Sequence, residues 1–265
     1  VGSVRTKLHA AAVMPQATYG CFAVGIAPTG QLELRRQLAA HCGHARGMCT
    51  TTLLEIEMKN MDPLIAIPEK VLMEYISLWL REKDMRRQVE EGWQAVLTSV
   101  LAAGSKGEKR LWHQVKGPVA NTICTLLDMG WLPEKSTRWV DGRSGIAWEL
   151  GEEAADMRPL VHAIHSTIRR GLWIDAAEHH LGKGVGEGVD VTAARRLVQK
   201  YRKSEDKRSR LVLLLATAGM WTEERSREAG YITDGWCKLC SKEVDDTVFH
   251  TVWECEAVGA AGLKE

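Results

Sequence analysis

Residues 61–104 read MDPLIAIPEKVLMEYISLWLREKDMRRQVEEGWQAVLTSVLAAG. Large apolar residues recur in this stretch at a spacing that, in a helix, places them on one side. They are Leu72, Tyr75, Ile76, Trp79 and Leu80. The helical pattern continues or restarts from Val96 to Leu101, and a loop follows at 102–109. The stretch therefore predicts amphipathic helices and a mainly α fold.

The flanking sequence extends this helical prediction in both directions. Residues 31–47 predict a helix that stops at Gly47, and residues 119–133 predict one ended by Gly130 and Pro133. Further patterns predict two helices in 151–182, interrupted at Gly171, and a helix over 191–221 that starts with Thr192 as N-cap and breaks near Ser204. The segment WVDGRSGIAW, residues 139–148, alternates around Asp-Gly and Ser-Gly and is typical of a hairpin.

Composition limits the classes of function. The 265 residues contain 35 Lys and Arg against 34 Asp and Glu, so no global field attracts nucleic acid or an anionic membrane. No signal peptide or membrane-spanning stretch is visible. The seven cysteines are odd in number and mostly scattered, which favours reduced thiols in a nuclear or cytoplasmic compartment. Because the chain starts at Val1 rather than Met, we expect it to be a piece of a longer polypeptide.

A metal motif lies near the C-terminus, in the spacing C-x2-C-x9-H-x4-C. Its members are Cys237, Cys240, His250 and Cys255. Two cysteines separated by two residues can direct both sulfurs at one ion, and the second pair completes four ligands with no open position for water. Three thiolates and one imidazole favour zinc over hard cations. The motif predicts structural Zn²⁺ in a small C-terminal module that folds with its metal.

The run DGWCKLCSKEVDDTVFHTVWEC, residues 234–255, resembles the zinc-binding segment that follows the reverse transcriptase domain in non-LTR (LINE-like) retrotransposon polyproteins. In that family the C-x2-C pair is followed by an acidic residue and Thr, matched here by Asp246 and Thr247, then by the His and Cys. The N-terminal stretch with Tyr19-Gly20 is similar to the region between the polymerase palm and the thumb helices. The resemblance implies nucleic-acid binding, and a parent RNA-directed DNA polymerase whose upstream domain is a partner.

Polymerase chemistry itself is not expected in this stretch. A reverse transcriptase holds its metal ions with two or three carboxylates. The only Asp-Asp pair, Asp245-Asp246, lies inside the zinc loop and is interpreted as solvated. No nucleophile–base pair, open metal site or cofactor loop is visible, so we predict no catalytic residue.

A basic run precedes the zinc motif. Its eight members are Arg195, Arg196, Lys200, Arg202, Lys203, Lys207, Arg208 and Arg210. With Glu205 and Asp206 in the same run, the net charge is +6. Such a run can neutralise the phosphates of RNA or DNA, or can be an ordinary solvated helix face.

Two smaller candidates remain open. His41, Cys42, His44 and Cys49 are close enough in sequence to suggest a second metal site, although no clean ligand spacing emerges. Trp236 and Trp253 could stack on bases or pack a small zinc core, and packing is the favoured interpretation.

Three regions follow from these patterns: thumb-like helices in 1–101, a helical linker with a possible hairpin in 102–188, and a basic helix plus zinc module in 189–265. The first hypothesis is a non-catalytic nucleic-acid-binding fragment of a retrotransposon polyprotein. The alternatives are a zinc-stapled protein–protein interaction scaffold and a decayed element without function. Charge reversal at Arg202 and Lys203 is expected to separate binding of nucleic acid from binding of protein.

Overall fold

The computed structural model describes residues 8–43, 47–58, 61–104, 111–151, 153, 156–240 and 242–257. This part of the chain is mainly helical with one small sheet, which confirms the predicted fold class. The chain forms two compact units. The first consists of Val1–Gly43, Met58–Asp175 and Gly186–Gly188, and the second of His44–Glu57, Ala176–Val185 and Val189–Glu265.

The first unit combines helices with a small sheet. The helices are α1 (Met14–Ala17), α2 (Cys21–Val24), α3 (Pro28–His41), α5 (Pro63–Arg81), α6 (Lys83–Gly104), α7 (Pro118–Asp128) and α8 (Arg158–Glu178), with a π-helical turn at His9–Val13 and a 3-10 turn at Trp112–Gln114. The strands are β1 (Trp131–Leu132), β2 (Arg138–Asp141) and β3 (Ala147–Glu149).

The second unit is built from shorter helices. They are α4 (Thr50–Met58), α9 (Thr192–Lys203), α10 (Arg208–Ala216) and α11 (Glu223–Glu228), with a 3-10 turn at His180–Gly182 and a π-helical turn at His250–Glu254. The break near Ser204 is confirmed. A further short helix, α11, begins after Thr222, whose hydroxyl accepts from the amide of Arg225. Thr192 was expected to be the N-cap of α9. Instead, the Asp190 carboxylate accepts the amide hydrogen of Thr192 at the start of this helix.

The start of α5 shows why the opening stretch is helical. Asp62 is the N-cap, its carboxylate accepts from the amide of Leu64, and Pro63 occupies the first helical position, where no amide hydrogen is needed. Arg35 donates to the same carboxylate at 2.9 Å. Burial raises the pKa of Asp62, and the Arg35 guanidinium opposes that shift. The ion pair therefore ties α3 to the N-terminus of α5.

The core of the first unit lies between α5, α6, α7, α8 and the sheet. The Tyr75 ring lies 5.8 Å from both Trp93 and Trp139, measured between ring centroids. Tyr75 donates its hydroxyl hydrogen to the Ser136 carbonyl, and Trp93 donates its indole hydrogen to the Pro133 carbonyl. These buried aromatic residues hold both long helices against the loop that leads into β2.

The predicted hairpin is confirmed as β2 and β3, which pair antiparallel with Trp139 opposite Trp148. β1 adds a third strand on the other side of β2. Residues 131 and 132, expected at the end of a helix, form this strand because α7 ends at Asp128 and Gly130 adopts a positive φ of 80°.

Two predicted helix ends were wrong. α3 ends at His41, and the following Gly43 has a φ of 83°, so the turn comes earlier than the expected Gly47. α8 runs without interruption through Gly171. A glycine in a helix interior costs stability without ending the helix, and flanking Leu160, Ile164 and Leu172 are buried on one side of α8.

We expect Gly171→Ala to raise the free energy of unfolding by about 0.5–1 kcal/mol, because alanine restricts the unfolded chain and suits a helix interior. Gly171 is exposed, and a Cβ atom there would meet nothing within 4 Å. Urea unfolding followed by circular dichroism measures the change. Gly182→Ala is the contrasting variant: its Cβ would overlap the Ala176 carbonyl oxygen, so a loss of stability is expected.

The boundaries of the three sequence regions stay a prediction. The basic helix and the zinc motif do lie in one compact unit, together with residues 44–57 and 176–185. Among the described residues, no helix combines the length and apolar character needed to cross a bilayer.

Candidate functional site

The four predicted metal ligands come together at one point. A ligand atom from each of Cys237, Cys240, His250 and Cys255 lies within 4.8 Å of the others. The sulfurs of Cys237 and Cys255 are 4.0 Å apart, and Cys240 Sγ is 3.4 Å from His250 Nε2. In a tetrahedral zinc site, bond lengths of about 2.3 Å to sulfur and 2.0–2.1 Å to nitrogen imply separations of about 3.8 Å and 3.6 Å. The group could therefore hold one metal ion.

A small antiparallel turn places the first two ligands. Cys237 donates its amide hydrogen to the Val244 carbonyl at 2.8 Å, and Asp246 donates to the Gly235 carbonyl at 2.7 Å. Trp236 and Asp245 form the bridge between these bonds. The turn therefore begins at Cys237, and Cys240 follows three residues later. This C-x2-C spacing lets both sulfurs reach one ion.

A helical turn supplies the other two ligands. Thr247 starts it, because its hydroxyl accepts the amide hydrogen of His250 at 2.9 Å. The turn closes where Cys255 donates its amide hydrogen to the His250 carbonyl at 2.7 Å. This hydrogen bond holds the imidazole and the last thiol on the same side of the turn.

The candidate ligands are largely shielded from water, and a carboxylate lies beside the histidine ring. Cys237, His250 and Cys255 are buried, and Cys240 is half-buried. Burial raises the pKa of the Cys237 thiol, so a bound cation is needed to hold the thiolate form. With Nε2 directed at Cys240, the Nδ1 atom of His250 lies 3.7 Å from a Glu254 carboxylate oxygen. A carboxylate on this side of a ligating histidine can help to orient the ring.

The Asp-Asp pair serves the structure of this site. Asp245 forms a 2.7 Å ion pair with Arg227. Asp246 is half-buried rather than solvated: it accepts from the amide of Glu223 at 2.9 Å and from the Thr251 hydroxyl at 2.7 Å. Asp246 therefore joins the N-terminus of α11 to the helical turn that carries His250.

Two members of the basic run are engaged inside the second unit. Arg195 donates to the backbone carbonyls of Glu55 and Ile56, which belong to the last turn of α4 and lack partners within that helix. Arg202 forms a bidentate pair with Glu57 at 2.6 and 2.7 Å. The Glu57 side chain is 5% exposed, so this pair is shielded from water on the carboxylate side. Both arginines therefore face α4 and stabilise the fold.

Other members of the run face solvent. Arg196, Lys200 and Lys203 follow the spacing i, i+4, i+7 on α9 and are exposed, and we call them the basic stripe. Lys207 and Arg210 are also exposed. None of these five side chains is in an ion pair with a described residue. Arg208 instead pairs with Asp206 and lies over the Tyr201 ring at 4.7 Å. Of the eight predicted contacts, the stripe and these two neighbours are the best placed for phosphate.

The tryptophans do not pack a zinc core, contrary to the favoured interpretation. Trp236 is 45% exposed and Trp253 is 68% exposed. Both precede a metal ligand by one or two residues, so the chain directs the ligand inward and the indole outward.

The second candidate metal site finds no support in the described residues, where only the C-terminal group brings three or more ligands together. His41 Nδ1 lies 2.7 Å from the Gln37 carbonyl and the ring packs against His9. Cys42 and Cys49 are buried. His44 lies outside the described residues.

Charge in the second unit is unevenly distributed, which the sequence interpretation missed. We call residues 221–257 the metal module; they contain nine acidic and four basic residues, a net charge of −5. Three thiolates on one divalent ion would add a further −1. Counting charge separately on each side of Trp221 would have found this. Glu55 and Glu57, the partners of Arg195 and Arg202, were also visible in the sequence as the only charged residues of the segment TTTLLEIEM.

Comparisons with known proteins identify no relative that carries this site. No protein-family model, curated protein or solved structure matches the chain.

Proposed function

We propose that this chain is a nucleic-acid-binding part of a retrotransposon reverse transcriptase-like polyprotein, with a structural zinc ion in the metal module. The observation that carries the proposal is the closed group of three thiols and one imidazole within 4.8 Å. Four ligands leave no position for a substrate or a reactive water, so the ion's role would be to fold the module. Thiolate ligation also requires reducing conditions, in keeping with a nuclear or cytoplasmic location.

The basic stripe is the proposed contact with nucleic acid. Its three cations sit along one side of α9 and none is neutralised by a described carboxylate in an ion pair. Phosphates of an RNA or DNA strand would displace water and counterions from these side chains, which makes binding fall as salt rises. The metal module repels phosphate, since its net charge is −5, so the nucleic acid would follow α9 and α10.

We expect the triple substitution Arg196→Gln, Lys200→Gln, Lys203→Gln to weaken binding of single-stranded RNA and to flatten its salt dependence. Each lost phosphate contact lowers the slope of log K against log salt by about 0.7, so three contacts lower it by about two. Fluorescence anisotropy of a labelled RNA, titrated with the full chain at several salt concentrations, measures both effects.

Lys238→Gln is the matched control, because Lys238 lies in the metal module and pairs with Glu223 at 3.0 Å. It should leave the slope unchanged. Arg202 is unsuited to the test: charge reversal there would place a carboxylate against buried Glu57 and disturb the fold. Equal salt slopes for the wild-type chain and the triple variant would refute the stripe as the contact.

The retrotransposon assignment rests on the C-x2-C-x9-H-x4-C spacing with Asp246 and Thr247 before the histidine. The coding sequence upstream of Val1 tests it directly. A polymerase palm with metal-binding carboxylates is expected there, and an unrelated domain would overturn the assignment. The competing function, a protein–protein interaction scaffold, is favoured by one observation, the exposed apolar side chains of the acidic metal module.

A further inference from the structure

Large apolar side chains surround the metal site. Trp236, Leu239 and Phe249 each precede a ligand by one residue, and Trp253 precedes Cys255 by two. Their exposed fractions are 45%, 59%, 61% and 68%. Because the four ligand atoms lie within 4.8 Å of one another, these side chains emerge from one small scaffold. Phe249 and Trp253 are also neighbours, four residues apart on a helical turn. Exposed apolar groups in such a set mark an interaction surface.

The charge around this set selects the kind of partner. Asp234 and Glu243 are exposed and are in no ion pair with a described residue. With the module's net charge of −5, a phosphate backbone would be repelled and a basic polypeptide attracted. The fitting partner is therefore a helix with unpaired cations beside apolar side chains.

This chain contains a helix of that chemistry. The basic stripe on α9 forms no ion pair with a described residue, Leu197 beside it is 40% exposed, and Leu211 on α10 is 58% exposed. Both halves of a complementary pair of surfaces thus occur on every molecule. A surface and its complement on the same chain allow copies to associate, either reciprocally as a pair or head to tail.

We propose that two copies of this chain associate by docking the basic stripe of one on the acidic, aromatic metal module of the other. The stripe is the surface proposed for RNA, so RNA and a second copy compete for it. The inference does not depend on RNA binding, because the metal module takes no part in the RNA contact. RNA would release the partner by occupying Arg196, Lys200 and Lys203.

Two charge-reversed variants of the full, metal-loaded chain test the proposal. One carries Lys200→Glu and Lys203→Glu, and the other carries Asp234→Lys and Glu243→Lys. Analytical ultracentrifugation gives the mass of each at about 0.05 M and about 0.5 M NaCl, where screening lengths differ several-fold. The wild-type chain should exceed the monomer mass at low salt and approach it at high salt. Each variant alone should associate at least about tenfold more weakly.

Mixing the two variants distinguishes the proposed contact from non-specific association. The two carboxylates introduced on α9 of the first variant would face the two amines introduced on the metal module of the second, so association should return in the mixture at low salt. Circular dichroism and one bound metal per chain confirm that each variant is folded. A wild-type chain that stays monomeric at low salt, or a mixture that stays monomeric, would overturn the proposal.

Discussion

Cys255→Ser is expected to release the metal and unfold the metal module. Cys255 is fully buried, its sulfur is 4.0 Å from that of Cys237, and its amide closes the helical turn on His250. Binding of structural zinc in small modules has an apparent free energy of roughly 10–16 kcal/mol, and much of it is folding free energy because the unfolded chain has no formed site. A hydroxyl in place of the thiolate is a poor ligand for zinc.

Metal analysis of purified chain measures this effect. We expect one zinc per wild-type chain and almost none for Cys255→Ser, with loss of protection from hydrogen exchange confined to the metal module. Cys124→Ala is the matched control, since Cys124 is a buried thiol in α7. It should keep the full metal content. A Cys255→Ser chain that retains stoichiometric zinc would show that this cysteine is not a ligand.

Trp139→Ala is expected to lower the free energy of unfolding of the first unit by about 3–5 kcal/mol, as large-to-small substitutions of buried aromatic residues do. Trp139 is fully buried at the centre of the sheet and packs against Tyr75, which in turn packs against Trp93. Removing the indole leaves a cavity where β2 meets α5. Chemical unfolding followed by tryptophan fluorescence measures the loss.

Ile146→Ala, in the same hairpin, is the control for this prediction. Ile146 is 51% exposed, so a change within about 0.5 kcal/mol is expected. Metal content should be unaffected in both variants, because the metal site is built from residues of the second unit. A Trp139→Ala chain as stable as wild type would mean that the packed rings of Tyr75, Trp93 and Trp139 contribute little to the stability of the first unit.

Local patterns predicted the elements of this fold well, for a physical reason. Helical periodicity located the buried side of α5, and the Asp-Gly turn located the hairpin, because both signals arise between residues close in sequence. The helix ends expected at Gly47 and Gly171 were misjudged, because a glycine weakens a helix without having to end it and packing of the flanking residues decides. The candidate metal-binding group was found because ligands of one ion need a short, fixed spacing.

Pairings across long separations were not predictable. Nothing local indicates that Arg202 meets Glu57 while Lys203, one residue later, faces solvent. On a helix, adjacent residues point about 100° apart, so the outcome depends on where α9 meets α4. The run of eight basic residues therefore looked uniform in sequence, although the fold gives its members different roles.

The contacts between α4 and the later part of the second unit constrain how this protein is made. Arg195 reaches the α4 carbonyls across a separation of 140 residues, and Arg225 reaches the Gly47 carbonyl across 178. At ribosomal rates of about 5–20 residues per second, the residues that contact α4 are synthesised roughly 7–30 s after α4 itself. The first unit's residues 58–175 are made in that interval. Until residue 195 has been made and has left the ribosome, α4 lacks these partners and should be exposed to chaperones and proteases.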